Sequence, residues 1–165
     1  MNKSDMIHQT DKYWAYAVIA YIWGKELKVQ IGTGFQITED QMDDFISTVE
    51  KRIEFINNSR SDIEKALIDK DAVDMANDWA ESAEPDDDDE NCYIMEDGTK
   101  VHLPITEEYF LSTVHIDEAA IEFRSSLDDV KTTVFVVCIP DFFAGHAFEV
   151  RINKDNIIDR CAFYG

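Results

Sequence analysis

Thr132-Thr133-Val134-Phe135-Val136-Val137-Cys138-Ile139 is an unbroken β-branched and aromatic run halted by Pro140, and it reads as a central strand. Downstream, Phe148, Val150 and Ile152 alternate with Glu149, Arg151 and Asn153, the period of a half-buried strand. Asn153-Lys154-Asp155-Asn156 then supplies a turn, and Ile157 to Tyr164 a returning strand. Upstream, Ala119 to Ser125 places Ile121 and Phe123 inward and Glu122 and Arg124 outward. Together these segments predict a C-terminal meander of roughly four strands.

The N-terminus also reads as sheet. Tyr13 to Trp23 is apolar throughout, Gly24-Lys25 offers a turn, and Glu26 to Ile31 alternates polar and apolar, so a hairpin is expected. A first strand apolar on both sides is either covered on both faces or placed at a partner's surface. Between the two sheet-like ends the pattern turns helical. Thr38-Glu39-Asp40-Gln41 has the form of a capping box, and Met42, Phe45, Ile46, Val49, Ile53 and Ile56 follow at spacings of three and four. A second helix opens at Ser61 with Ile63 and Leu67 on one face. A third, from about Asp71, puts Ala72, Met75, Ala76, Trp79, Ala80 and Ala83 on one stripe and Asp74, Asp78 and Glu81 on the opposite face. Pro85 and the acids around it predict an exposed acidic loop over residues 84–91. Asp97-Gly98 marks a hairpin tip, and Thr106-Glu107-Glu108 starts a short helix ending near Val114.

Strands, then helices, then strands, without strict alternation, predict an α+β fold with a mainly antiparallel sheet and about three helices packed on one face. With 165 residues of which 45% are apolar, one domain spanning residues 1–165 is expected.

The formal net charge is −20, from 15 Lys and Arg against 35 Asp and Glu, and it is unevenly placed. Residues 36–90 carry five basic and nineteen acidic groups, net −14, whereas residues 1–35 are +1 and residues 131–165 are neutral. A chain with so few cations argues against binding nucleic acid or an anionic membrane surface, both of which need clustered positive charge. A basic protein partner fits the charge instead. The three cysteines, Cys92, Cys138 and Cys161, are odd in number and contain no Cys-x-x-Cys pair, so reduced thiols are expected. The eleven-residue apolar run is too short for a membrane helix and lacks the marks of a signal peptide, which makes a cytoplasmic location the expectation.

Each motif has a chemical and a plain reading. Asp86 to Glu90 offers oxygen ligands for a hard cation but lacks the Gly and terminal Glu of an EF-hand loop, and a solvated loop accounts for it. His115-x-x-Glu118 and His146-x-x-Glu149 have ligand-like spacings, yet in a strand an offset of three divides His146 and Glu149 between opposite faces. Gly32-Thr33-Gly34 lacks the remaining residues of a dinucleotide or phosphate loop and reads as a strand-end bend. Cys138 or Cys161 beside His146 would make a nucleophilic pair, whereas a buried free cysteine is ordinarily a small core residue. No metal or cofactor is called for, and no residue pattern identifies a reaction.

Two features carry the functional expectation. Asp74, Asp78, Glu81, Glu84, Asp86, Asp87, Asp88, Asp89 and Glu90 form a dense acidic span that serves either solubility alone or the docking of a cationic partner. Tyr13, Trp14, Tyr16, Tyr21 and Trp23 are core residues, or in part the apolar anchor of an interface.

Pro140-Asp141-Phe142-Phe143-Ala144-Gly145-His146-Ala147-Phe148-Glu149-Val150, with Asn153 to Asn156 and the terminal Ala162-Phe163-Tyr164-Gly165, resembles a group of uncharacterised bacterial domains of unknown function that share a Phe-x-Gly-His plus strand-turn-strand ending. Gly145 and His146 match best. Some proteins of this kind are encoded beside polymorphic toxin systems, where small acidic domains often act as immunity proteins. The resemblance therefore implies a binding role, with an acidic protein that occludes a cationic toxin such as a nuclease, and it transfers no catalytic residue. A small metal-dependent or hydrolytic enzyme using His115, His146 and nearby carboxylates is the alternative, and an adaptor domain of a larger assembly is a third.

Overall fold

A computed structural model describes residues 1–11 and 13–165. Its strands are β1 (Ile7–His8), β2 (Tyr16–Ile22), β3 (Lys25–Thr33), β4 (Glu84–Asp86), β5 (Asp89–Ile94), β6 (Lys100–His102), β7 (Val114–Phe123), β8 (Val130–Cys138), β9 (Ala147–Ile152) and β10 (Ile158–Tyr164). The helices are α1 (Met42–Asn58), α2 (Arg60–Ile68), α3 (Ala72–Glu81) and α4 (Glu107–Thr113). The larger sheet runs β1-β2-β3-β7-β8-β9-β10 and the smaller β4-β5-β6. The fold is α+β. Every pairing is antiparallel except β3 with β7, where the chain leaves the sheet, builds the helices and the small sheet, and returns in the same direction.

The predicted meander is β7 to β10. Val134, Val136, Phe148, Val150 and Ile152 face a common core with Val29, Ile31 and Ile121. α1 opens as expected: Thr38 N–H donates to Gln41 Oε1 at 3.2 Å, and Met42, Phe45, Ile46, Val49 and Ile56 are buried. Phe45 reaches Phe123 across the interface with the sheet, at 5.0 Å between ring centres. α3 seats Ala72, Ala76 and Ala80, small enough to let its backbone approach closely.

Four differences from the sequence reading have local causes. The helical layer has four members rather than about three, because α4 buries Phe110 against Phe142 and so belongs to the core. The first hairpin turns at Trp23-Gly24, not Gly24-Lys25, since Ile22 pairs with Lys25 and both turn residues have positive φ. Trp23 holds that conformation because its backbone N–H donates to Asn57 Oδ1 at 2.9 Å and its indole to the Ile56 carbonyl at 3.2 Å. α2 begins at Arg60, with Ile63 N–H bonded to the Ser59 carbonyl, one residue before the expected opening. Gly32 lies inside β3, and the bend expected of Gly32-Thr33-Gly34 falls at Gly34, just past the strand's end. A side chain at Gly32 would meet the Tyr13 carbonyl at 3.1 Å and the Trp14 ring at 3.3 Å.

The largest correction concerns residues 84–91, which are not a loop. Glu84 and Pro85 pair with Ile94 and Tyr93, and Asp86 with Asp89, so the acidic run is a β4–β5 hairpin backed by β6. Strand propensity is poor here, but buried Met95 and Val101 anchor the small sheet to the core, and Lys100 of β6 relieves part of the charge.

Candidate functional site

The acidic span is presented on two joined elements. Asp74, Asp78 and Glu81 are exposed along α3, and Glu84, Asp87, Asp88 and Glu90 are exposed on the hairpin that follows it. Asp86 and Asp89 have a different role. Asp86 pairs with Lys100 of β6 and accepts from Asp88 N–H at 3.2 Å, while Asp89 accepts from Asn91 N–H at 3.1 Å and meets His102 Nε2 at 3.1 Å. The Lys100 bond holds the Asp86 carboxyl below the usual carboxylate range, and the Asn91 N–H followed by His102 does the same for Asp89. Two carboxylates thus knit the hairpin together. Asp74, Asp78, Glu81, Asp87, Asp88 and Glu90 have no ion-pair partner among the described residues.

Of the five aromatics singled out in the sequence, three are built into the fold. Tyr16 packs on Phe45, Trp14 roofs Gly32, and Trp23 caps α1 beneath the Arg60 guanidinium, 5.3 Å from its ring centre. Tyr13 and Tyr21 are exposed. β1 pairs with β2 only at Tyr16 and Ala17, so the edge of β2 from Val18 to Ile22 is open, and Ile19 and Tyr21 stand on it. A groove of about 730 Å³ beside them is lined by Asp5, Glu50, Glu54 and Lys51.

The histidine and cysteine candidates do not assemble. A bulge between Ile116 and Glu118 brings His115 and Glu118 to the open side of β7, but His115 Nδ1 lies 3.3 Å from the Thr113 carbonyl and faces no second ligand. His146 sits among Trp79 and Phe163, while Glu149 is held by Arg151 and Arg160. Among the described residues no group of three His, Cys, Asp or Glu is placed to hold a metal ion. Burial pushes the Cys138 thiol up to about 12 and that of Cys161 to about 11, so neither supplies a thiolate near neutrality. Gly145, with φ of 83°, closes a turn in which Asp141 accepts from the Phe143 and Gly145 N–H groups at 3.0 and 2.7 Å, and the His146 N–H bonds to the Phe143 carbonyl. These two motif residues shape the entry to β9.

The sequence reading missed two arrangements. Arg52 of α1 is buried and has no carboxylate partner among the described residues; its guanidinium donates to Thr132 Oγ1 at 2.8 Å, the Asn153 carbonyl at 2.9 Å, Asn156 Oδ1 at 2.5 Å and the Ile152 carbonyl at 3.1 Å. Desolvation lowers its pKa from the ordinary arginine value. The second is the sheet face away from the helices. There a groove of about 600 Å³ runs over Gln30, Glu118, Ala120, Thr133 and Phe135 with Trp14 at its side, and a basic corner adjoins it at Lys131.

Residues 9–162 match the family described as an uncharacterized protein conserved in bacteria, DUF2262. The chain is a DUF2262 protein. The matched span takes in all four helices and β2 to β9 in full, so both the acidic elements and the open sheet face of this DUF2262 chain belong to it. No curated protein and no solved structure matches the chain. No helix among the described residues is long and apolar enough to cross a membrane.

Proposed function

We propose that this DUF2262 protein is a binding protein whose α3 face and β4–β5 hairpin dock a basic protein, acting as an immunity protein that occludes a co-encoded cationic toxin such as a nuclease. The observation that carries this reading is the division of labour within the acidic span. Asp86 and Asp89 stiffen the hairpin through Lys100 and His102, and the remaining carboxylates are presented on it without cationic partners among the described residues. Pre-positioned charge of one sign accelerates the approach of the opposite sign and fixes its orientation.

Expression of the neighbouring gene product with and without this protein tests the reading. Growth arrest by the neighbour alone, relieved by co-expression and not relieved when Asp87, Asp88 and Glu90 are changed to Asn, Asn and Gln, is expected. A harmless neighbour, or full protection by that variant, would refute it.

A further inference from the structure

In a chain of net charge −20, five of the 15 basic side chains line one pocket. Arg124, Lys131, Arg151, Lys154 and Arg160 surround about 440 Å³ at one end of the open sheet face, with Asp155 and Asp159 as its acidic lining. Each of β8, β9 and β10 contributes a cation, and the residue following β7 and the β9–β10 turn contribute the others.

The pairing inside this corner is unfavourable for folding alone. Arg151 and Arg160 are direct cross-strand partners in the β9–β10 ladder, and like charges opposite one another destabilise a sheet. One buried carboxylate serves both: Glu149 Oε1 lies 2.5 Å from Arg151 Nε, and Oε2 lies 3.5 Å from Arg160 Nε. Both guanidiniums are therefore engaged through Nε, and their Nη donors have no hydrogen-bond partner among the described residues. The rim is fixed from behind as well, since Arg52 holds the Asn153 carbonyl and the Asn156 side chain of the turn that carries Lys154. The other cations are in solvent-accessible pairs, half-buried for Lys131 with Glu122 and more exposed for Arg124 with Asp129 and Lys154 with Asp155, and such pairs are weak enough to exchange for a stronger anion.

We propose that this corner binds the phosphoryl group of a small molecule. Two guanidinium forks set side by side match the oxygen geometry of a phosphate, and the volume suits a metabolite-sized ligand rather than a protein surface. The groove past Lys131 toward Thr133 and Phe135 is where the rest of a phosphate ester extends.

Amide chemical-shift titrations with inorganic phosphate, ribose 5-phosphate and ribose, at constant ionic strength in chloride, test the proposal. Saturable shifts at residues 124, 131, 151, 153–155 and 160 with either phosphate are expected, and none with ribose. Tighter binding of the ester identifies a phosphorylated organic ligand, and equal binding identifies free phosphate; both support the site. Arg160→Gln, on an exposed side chain, is expected to weaken binding about tenfold, and Lys154→Gln less. Arg151→Lys, which keeps the charge and removes the fork, is expected to weaken it as well. Shifts scattered over the surface, shifts matched by chloride alone, unchanged affinity in Arg160→Gln, or binding confined to a single-stranded oligonucleotide would each overturn it.

Discussion

The β4–β5 hairpin and the basic corner of the large sheet use the same chemistry with opposite outcomes. In the hairpin, two side chains of β6, Lys100 and His102, meet a larger number of acids, so both are engaged internally and a surplus of carboxylates faces outward. In the corner, one carboxylate, Glu149, is consumed by two arginines, and the surplus is of N–H donors. Net charge describes neither region. What matters is which partner runs short locally, and that is set by strand register rather than composition.

The comparison can be broken at its supports. Arg52→Leu removes four hydrogen bonds at a buried site and is expected to cost about 3 kcal/mol in denaturant unfolding. It should also loosen the Asn153–Asn156 turn, visible as faster amide exchange there. Glu149→Gln leaves two opposed arginines without their shared counter-ion and is expected to cost about 2 kcal/mol. Arg160→Gln in that background should restore part of the loss, a coupling that a double-mutant cycle reads directly. No such rescue would mean the two arginines do not share Glu149.

Changes in the hairpin should be milder. Neutralising Asp87, Asp88 and Glu90 is expected to alter stability by less than about 0.5 kcal/mol, since these side chains are exposed and unpaired. Asp86 and Asp89 are instead expected to show in the pH profile. Their folded-state pKa values are depressed, so their contribution is complete above the ordinary carboxylate value and is lost as pH falls through the lower folded values. Stability against unfolding should be insensitive to these groups between about pH 5 and 7 and should fall below about pH 4. Smallest of all, Cys138 and Cys161 are expected to alkylate slowly at about pH 8 in the native protein and rapidly in denaturant, as their raised pKa values require.

Elements specified by nearby residues were legible in the sequence. α1 was announced by Thr38 and Gln41 and by its apolar spacing, and β8 to β10 by alternation and the Asn-Lys-Asp-Asn turn. The acidic hairpin was not, because its strands are held by Met95 and Val101 in the core and by Lys100 and His102 on a third strand, against local propensity. Arg52 was hidden for a similar reason: its partners lie 80 to 104 residues away, and an arginine at the margin of an apolar stripe reads as solvent-facing. The five cations of the corner are spread from residue 124 to 160, and only the antiparallel register of β7 to β10 collects them. The period-two pattern did set Glu122 and Arg124 outward in one strand and alternate Glu149 and Arg151 with apolar residues in another, and that was the available signal.

If surplus carboxylates on α3 and the hairpin steer a basic partner, as proposed, the rate of association with the proposed co-encoded protein, measured from about 50 to 500 mM salt, will register it. A rate that falls more than about tenfold over that range, and that is lower and nearly flat after neutralisation of Asp87, Asp88 and Glu90, is the predicted result. Equal, salt-independent rates for both proteins would contradict it.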